Sequence, residues 1–255
     1  MNILLTNDDG QHSPLLPLAL EGVGELGAVT TVVPARERSG AGKSITCFER
    51  LVAEPLALGQ GPAYTVSGTP ADCANIGIHH LCRQKPDLVV SGINIGINAG
   101  IGFLFASGTV GACLEGNIAG IPGIALSQEI PRPVMDRYFG GTDLPAAIAA
   151  HLRRQTQQAL KRVFAILLEC EDFWHSPVTW NVNIPYEMAA DWDVCRTRSS
   201  LSVYGSWFKR QGDAFVHELD GVVEDTREDS DTSALQRGQV SMARLDIRSL
   251  GQELD

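Results

Sequence analysis

The amino-acid sequence predicts an α/β fold on a mainly parallel sheet, and three observations predict it. Residues 3–5, 29–33, 86–91 and 123–127 form short apolar runs with little polar alternation, as expected of strands buried on both faces of a helix-covered parallel sheet. The first two runs are separated by a helix-forming segment, the β-helix-β spacing of parallel strands joined by a right-handed crossover. The first three runs each empty into a polar or glycine-rich loop, and ligands of open α/β sheets gather at the carboxyl ends of strands.

The first strand, residues 3–5, runs through Thr6 and Asn7 into Asp8, Asp9 and Gly10. Successive strand side chains point to opposite faces, so the two carboxylates converge only if the chain turns here; Gly10 makes that turn cheap. Adjacent carboxylates repel unless a cation or a proton lies between them. The stretch therefore reads either as an oxygen-ligand site for a hard divalent metal or as a strand end capping the next helix. Ser13 as N-cap and Pro14 at the first helical position open a helix to about Leu26, with Pro17 in the first turn and Gly27 as the stop.

The strand at 29–33 ends at Pro34 and enters the loop 35–44 with Ser39, Gly40, Ala41 and Gly42. That backbone can approach an anion closely, or it is a plain structural turn; the P-loop spacing is absent. Residues 45–58 and 64–66 read as β-hairpin material. Thr69, Pro70 and Asp72 form a capping-box-like start to a helix reaching roughly Leu81. His79 and His80 on it are adjacent, face different sides, and make a poor metal pair.

The strand at 86–91 empties into the loop 92–102, where Asn94 and Asn98 alternate with glycines. An asparagine offers an oxygen to a metal or an NH2 to a phosphate. The glycine spacing is not a dinucleotide fingerprint. Ser107, Gly108 and Thr109 open a helix of small and apolar residues over 110–119. Hydroxyls and unpaired N–H groups at a helix start make an anion site, and serine there is equally a plain N-cap. After the strand at 123–127, residues 144–168 read as a long helix passing into a strand, and 181–185 as another strand end. Residues 195–225 are mixed and strand-like, with Tyr204, Trp207, Phe208 and Phe215 read as exposed. The acidic run 224–231 reads as solvated surface, and 238–242 as a late strand.

The chain of 255 residues is 44% apolar and 20% charged, which excludes a disordered chain. A formal net charge of −10 argues against broad attraction to nucleic acid polymer. No apolar run approaches the ~20 residues of a membrane span. Asp8 and Asp9 interrupt the only candidate secretory leader. The cysteines at 47, 73, 82, 113, 170 and 195 lack any C-x-x-C pair and read as reduced core thiols of a cytoplasmic protein.

Asp8 and Asp9, Ser39, Asn94 and the 107–109 helix start thus share one address, the carboxyl edge of the sheet. Carboxylates, a hydroxyl and an amide give an all-oxygen site for Mg²⁺ or Mn²⁺, with an anion cradle beside it at Ser107 and further backbone room at Gly40. A metal next to a phosphate pocket suggests phosphate-ester hydrolysis.

These residues resemble the SurE survival-protein family of metal-dependent nucleoside monophosphate phosphatases. The matching pieces are Ile3-Leu-Leu-Thr-Asn-Asp-Asp-Gly10, Ser39-Gly-Ala-Gly-Lys-Ser44, Gly68-Thr-Pro-Ala-Asp-Cys73, Pro86-Asp-Leu-Val-Val-Ser-Gly-Ile-Asn94, and Ser107-Gly-Thr-Val110 with Glu115-Gly116. Later, Asn181-Val-Asn-Ile-Pro185 and the order Asp231, Ala234, Gly238-Gln-Val-Ser241 look similar. The resemblance implies one divalent metal per subunit on Asp8, Asp9, Ser39 and Asn94. It implies phosphate contacts near Asn98 and on Ser107, Gly108 and Thr109. It also implies 5′- or 3′-nucleotide substrates and a single domain with a Rossmann-like three-layer core over about 1–190. A β-rich C-terminal arm would lie over about 195–235, a return segment over about 236–255, and the assembly would be a homodimer or homotetramer. The chain departs from the family at Leu15-Leu16, at the apolar segment Ile101-Gly-Phe-Leu-Phe-Ala106 and at Ser241-Met-Ala-Arg-Leu245.

The leading expectation is a divalent-metal phosphomonoesterase in which Asp8 and Asp9 are catalytic and Asp8 also handles a proton. Direct attack by Asp8 to give an acyl phosphate stays open. The alternative is a non-catalytic nucleotide- or phosphate-binding relative, motivated by the altered 101–106 segment. An NAD-type oxidoreductase lacks its fingerprint. His12 reads as a surface residue at a helix start.

Overall fold

The computed structural model describes residues 1–141, 143–223 and 225–250; the last five residues of the expected return segment lie outside the described ones. Strand β1 (Asn2–Thr6) has Ile3, Leu4 and Leu5 at most 1% exposed, so both of its faces are covered. It pairs in parallel with β2 (Ala28–Pro34) on one side and β5 (Leu88–Ile95) on the other. Outside β2 lie β4 (Ala63–Val66), parallel, and β3 (Ala53–Pro55), antiparallel. Outside β5, the parallel run continues through β6 (Gly123–Gln128) and β7 (Thr179–Ile184). Then β11 (Val240–Leu245) joins antiparallel to β7 and carries β8 (Val194–Thr197) at the edge. The nine-stranded order is β3-β4-β2-β1-β5-β6-β7-β11-β8, and β9 (Phe208–Gln211) with β10 (Ala214–His217) forms a separate antiparallel hairpin.

Alternation along the strands sends side chains to two cores, which makes the molecule three-layered. Ile3 and Leu5 pack in the core that includes α1 (Leu16–Gly24) and α6 (Ala146–Leu168). Leu4, Val32 and Val89 pack on the opposite face with α2 (Pro70–Ile76) and α4 (Gly108–Ile118). Growth of the sheet reverses at β1: the chain builds outward to β2 and β4, then returns to place β5 on β1's other side. The crevice beyond the carboxyl ends of β1 and β5 is therefore a topological switch point.

The capping box of α2 is formed, with Thr69 Oγ1 accepting from Asp72 N and Thr69 N donating to Asp72 Oδ2. That helix ends at Ile76 and continues as a π-helical turn, Gly77–Leu81. Other expectations are corrected. Ser13 does not cap α1, which starts at Leu16 and stops at Gly24. Residues 10–13 are spent on a turn instead, in which Ser13 N donates to Gly10 O. Within 45–58 only β3 is a strand, because Thr46 hangs its loop on Asp72 through its N–H and its hydroxyl. β5 runs on to Ile95, and residues expected as loop or left open form α3 (Ile101–Ala106). The long helix ends at Leu168 without passing into a strand and is followed by α7 (Glu171–His175). Two further helices, α5 (Arg132–Phe139) and α8 (Asp231–Gln236), were not anticipated.

Tyr204 and Trp207 are half-buried rather than exposed, because both pack on Phe103 of α3, with ring centroids 5.6 and 6.2 Å away. Asp231, expected on a solvated acidic run, is buried, and Glu224 of that run lies outside the described residues. Cys73 and Cys113 are core thiols, but Cys47 is exposed on the loop tied to Asp72; all six cysteines are unpaired. No described helix is long and apolar enough to cross a membrane.

Candidate functional site

The chain turns directly after β1, as two adjacent carboxylates require if they are to converge. Asn7 closes the turn by accepting from Gly10 N (3.1 Å) and donating Nδ2 to Gly10 O (3.0 Å). Gly10 has φ +81°, and a Cβ there would lie 2.9 Å from the Arg36 carbonyl carbon, so glycine is required on both counts.

The carboxylates are buried and held separately. Asp8 accepts from the Thr109 hydroxyl at 2.7 Å and from Thr109 N at 3.2 Å. Asp9 Oδ2 accepts from Ile95 N at 3.1 Å, while Asp9 Oδ1 is buried without a partner. Loops after β1 and β5 and the start of α4 thus meet at the switch point. Gly108 permits this approach: a Cβ there would come 2.9 Å from Asp8 Cβ and 3.0 Å from Pro70 Cγ.

The start of α4 is partly engaged already. Ser107 caps it, with Oγ accepting from Val110 N at 3.1 Å, and Thr109 N is given to Asp8. The positive end of the helix therefore first serves a protein carboxylate. A hydroxyl that accepts still has its own proton to donate, so Ser107 can reach a ligand oxygen.

The Ser39 loop is brought to the same place by its backbone. Arg38 N donates to Asp8 O at 2.7 Å, and Gly42 N donates to Ala106 O at 2.9 Å. Ser39 and Gly40 are exposed between these two ties, and a Cβ on Gly40 would meet nothing within 4 Å. Lys43 and the buried Glu115 of α4 form an ion pair of 2.6 Å that anchors the loop's far end, and Asn75 of α2 donates to Glu115 Oε1 at 2.8 Å. Asn94 donates Nδ2 to Gly96 O at 3.2 Å, which leaves its carbonyl oxygen for other use. Asn98 faces the sheet: its N–H goes to Asn183 Oδ1 (2.7 Å), its Nδ2 to Ser127 Oγ (2.9 Å), and its carbonyl accepts from Asn181 (2.8 Å). It braces the loop against β6 and β7.

Burial pushes Asp8 up to about 6, although the Thr109 hydroxyl and N–H pull it down. Burial, and then the charge of Asp8, hold Asp9 well above the ordinary carboxylate value. Neither is ion-paired to a described basic side chain. The residues fit a hard divalent cation: two buried carboxylates, one with an orphaned oxygen, beside an amide oxygen and a hydroxyl loop. No grouping of three or more His, Cys, Asp and Glu side chains that could hold a metal occurs among the described residues. The two carboxylates alone do not fill the shell of such a cation, and the neutral oxygens of Asn94 and Ser39 lie on the segments tied to them by the Ile95–Asp9 and Arg38–Asp8 hydrogen bonds.

Tyr138 and Met135 of α5 were not anticipated near the crevice. Tyr138 reaches the His12 carbonyl at 3.4 Å. Burial raises its hydroxyl pKa, and the charges of Asp9 and Glu37 raise it further. Met135 Sδ lies 3.9 Å from where a Gly96 Cβ would be. The pair, three residues apart on one helix face, links the β1 and β5 loops. The only sequence signal was Pro131-Arg132-Pro133 as a helix start.

The class is an open α/β protein with two buried carboxylates at its switch point. A match to the family described as survival protein SurE spans residues 3–204. A relative named 5′-nucleotidase SurE from Methanothermobacter thermautotrophicus is 38% identical over 215 residues, covering 84% of this chain and 78% of the relative. One of the same name from Methanosarcina acetivorans is 33% identical over 262 residues, covering 97% and 92%. The crystal structure of the SurE protein from Aquifex aeolicus matches with a TM-score of 0.73 at 30% identity, covering 98% of this chain and 95% of that one. The chain belongs to the survival protein SurE family.

Proposed function

We propose that this chain is a 5′-nucleotidase that hydrolyses nucleoside monophosphates to nucleoside and phosphate, working with one divalent cation per subunit. The observation that carries the reading is the meeting of Asp8, Asp9, Asn94 and the Ser107 helix start in one buried crevice, in a chain whose relatives bear that enzyme name. Asp8, Asp9, Asn94 and Ser39 would hold the cation, with Mg²⁺ or Mn²⁺ suiting the oxygen donors. When bound, the cation supplies Lewis-acid polarisation of the phosphoryl oxygens.

The chain's own groups do the rest. Ser107 Oγ and the first N–H of α4 bind a phosphate oxygen, and the open backbone at Gly40 borders the same space. Thr109 fixes the Asp8 carboxylate so that it orients the attacking water and takes its proton. Water oxygen bonds to phosphorus, the bond from phosphorus to the ester oxygen breaks, and the nucleoside leaves as its alcohol with the proton that Asp8 took from the water. The names of the relatives do not favour a non-catalytic binding relative. We also place the chain in a homodimer or homotetramer that uses the 195–235 arm, and in the cytoplasm, on its unpaired cysteines.

The test is phosphate release from a panel of 5′- and 3′-nucleotides, with Mg²⁺ or Mn²⁺ and with excess EDTA. We expect release from the 5′ esters that stops on chelation. Full activity in EDTA would overturn the cation assignment, and wild-type turnover by Asp8→Asn would overturn the role of the carboxylate.

A further inference from the structure

Asp231 is a carboxylate at 0% exposure for which neither the site nor the fold's core has a use. Three backbone N–H groups donate to it. Gly100 N reaches Oδ2 at 3.1 Å, and Ser200 N and Thr232 N reach Oδ1 at 2.9 and 2.8 Å. Thr232 belongs to its own helix, α8, and alone would make Asp231 an ordinary first-turn acid. The other two donors come from 131 and 31 residues away. Gly100 sits on the loop between Asn94 and Ser107, immediately before α3. Ser200 sits at the root of the arm.

More contacts join the same two segments. Ile101 N donates to Ser200 O at 2.8 Å and Gly102 N donates to Ser202 O at 3.4 Å, while Ser200 Oγ bonds Ser202 Oγ at 2.9 Å within the second segment. A buried carboxyl group needs hydrogen bonds to replace its lost water, so these donors hold it and it in turn fixes them. Asn98 ties the same loop to β7 from the other side. We infer that Asp231 is a positioning residue: by holding Gly100 N and Ser200 N together, it locks the loop that follows Asn94 and leads through α3 to Ser107 to the root of the arm. The inference deepens the nucleotidase reading and rests on it for its kinetic part. It also gives a physical role to the late Asp231–Ala234 pattern.

The experiment has a structural and a kinetic arm. In the wild-type protein, native-state hydrogen exchange at Gly100, Ser200 and Thr232 should follow one common opening, since one group holds all three. In Asp231→Asn, an NH2 must face N–H donors. Exchange at Gly100, Ile101 and Ser200 should then speed up about tenfold or more, as for a lost hydrogen bond to a charged group. The Leu4 and Leu5 amides of β1 should be unchanged. With a nucleoside monophosphate and Mn²⁺, kcat should fall about tenfold or more while KM moves within about threefold, since the loop serves the phosphate side of the crevice. Asp231→Glu, which keeps the charge, should recover part of the loss. Independent exchange of the three wild-type amides would overturn the inference even if the variant failed to fold. So would unchanged kcat in a folded variant, or acceleration spread evenly over all amides. Absence of phosphate release by the wild type would sink the nucleotidase reading and leave the exchange test standing.

Discussion

At the scale of the residue, Asp8 and Asp9 are costly to the fold without a counter-charge. Their folded pKa values lie above the ordinary 3.8 because burial penalises the ionised form, and Asp8 adds repulsion to Asp9. A raised carboxylate favours the folded state fully below the unfolded value, and the benefit is lost as pH rises through the folded value. For Asp8 that window runs from 3.8 to about 6 and is worth on the order of 3 kcal/mol. Chelated protein should therefore melt higher at pH 5 than at pH 7.5, and Mg²⁺ or Mn²⁺ should raise Tm more at pH 7.5. Asp9→Asn keeps an acceptor for Ile95 N and removes the repulsion. It should raise the metal-free Tm at pH 7.5 and cut kcat by about 10²-fold or more. A lower Tm together with retained activity would show that the pair is not the charged centre of the site. Gly108→Ala tests the approach of α4. Alanine gains up to about 1 kcal/mol of helix propensity, but its Cβ would sit 2.9 Å from Asp8 Cβ, and such overpacking costs about 1–3 kcal/mol. The clash should win, with lower stability in urea and lower kcat together.

At the scale of the element, α2 is built around Asp72. Burial raises this carboxyl's pKa, but hydrogen bonds from Thr46 and Thr69 outweigh it and hold it below the ordinary value. The stability it adds is thus present above 3.8 and lost as pH falls through its folded pKa, the opposite sign to Asp8. Asp72→Ala should cost about 2 kcal/mol or more, a cap plus charge-assisted hydrogen bonds, read as a shift in urea midpoint that shrinks in acid. Cap chemistry of this kind is local, which is why α2 and α4 are legible from Thr69-Pro70-Asp72 and from Ser107. By contrast, α5 buries no residue fully, so no periodic apolar face announces it. The six residues of α3 follow a glycine at φ +84°, and a run so short carries no period. The site divides the same way. Asp8, Asp9, Asn94 and Ser107 are legible because each ends a strand or starts a helix. That Thr109 serves Asp8 from 101 residues away, or that Asp231 holds Gly100 from 131, depends on the assembled sheet and leaves no local trace.

At the scale of the whole molecule, the hairpin of β9 and β10 stands apart from the nine-stranded sheet. A two-stranded hairpin is marginal alone in water, and this one exposes Phe208 at 58% and Phe215 at 66%, with Leu201, Val203 and Val223 exposed at its base. Clustered exposed apolar side chains mark association surfaces. Each chain carries a formal charge of −10, so bringing two copies together is opposed by long-range repulsion that salt screens. An interface closed by apolar arm contacts should therefore strengthen as ionic strength rises, whereas one held by ion pairs should weaken. We expect sedimentation equilibrium to give a mass above the 27.4 kDa of one chain, with tighter association at 0.5 M salt than at 0.05 M, a range over which the Debye length shrinks about threefold. Phe208→Ser with Phe215→Ser should shift the equilibrium toward the single chain, while the Leu4 and Leu5 amides of β1 keep their hydrogen-exchange protection. A wild-type monomer at all salt concentrations, or a double variant that associates as well as the wild type, would remove the arm from the interface.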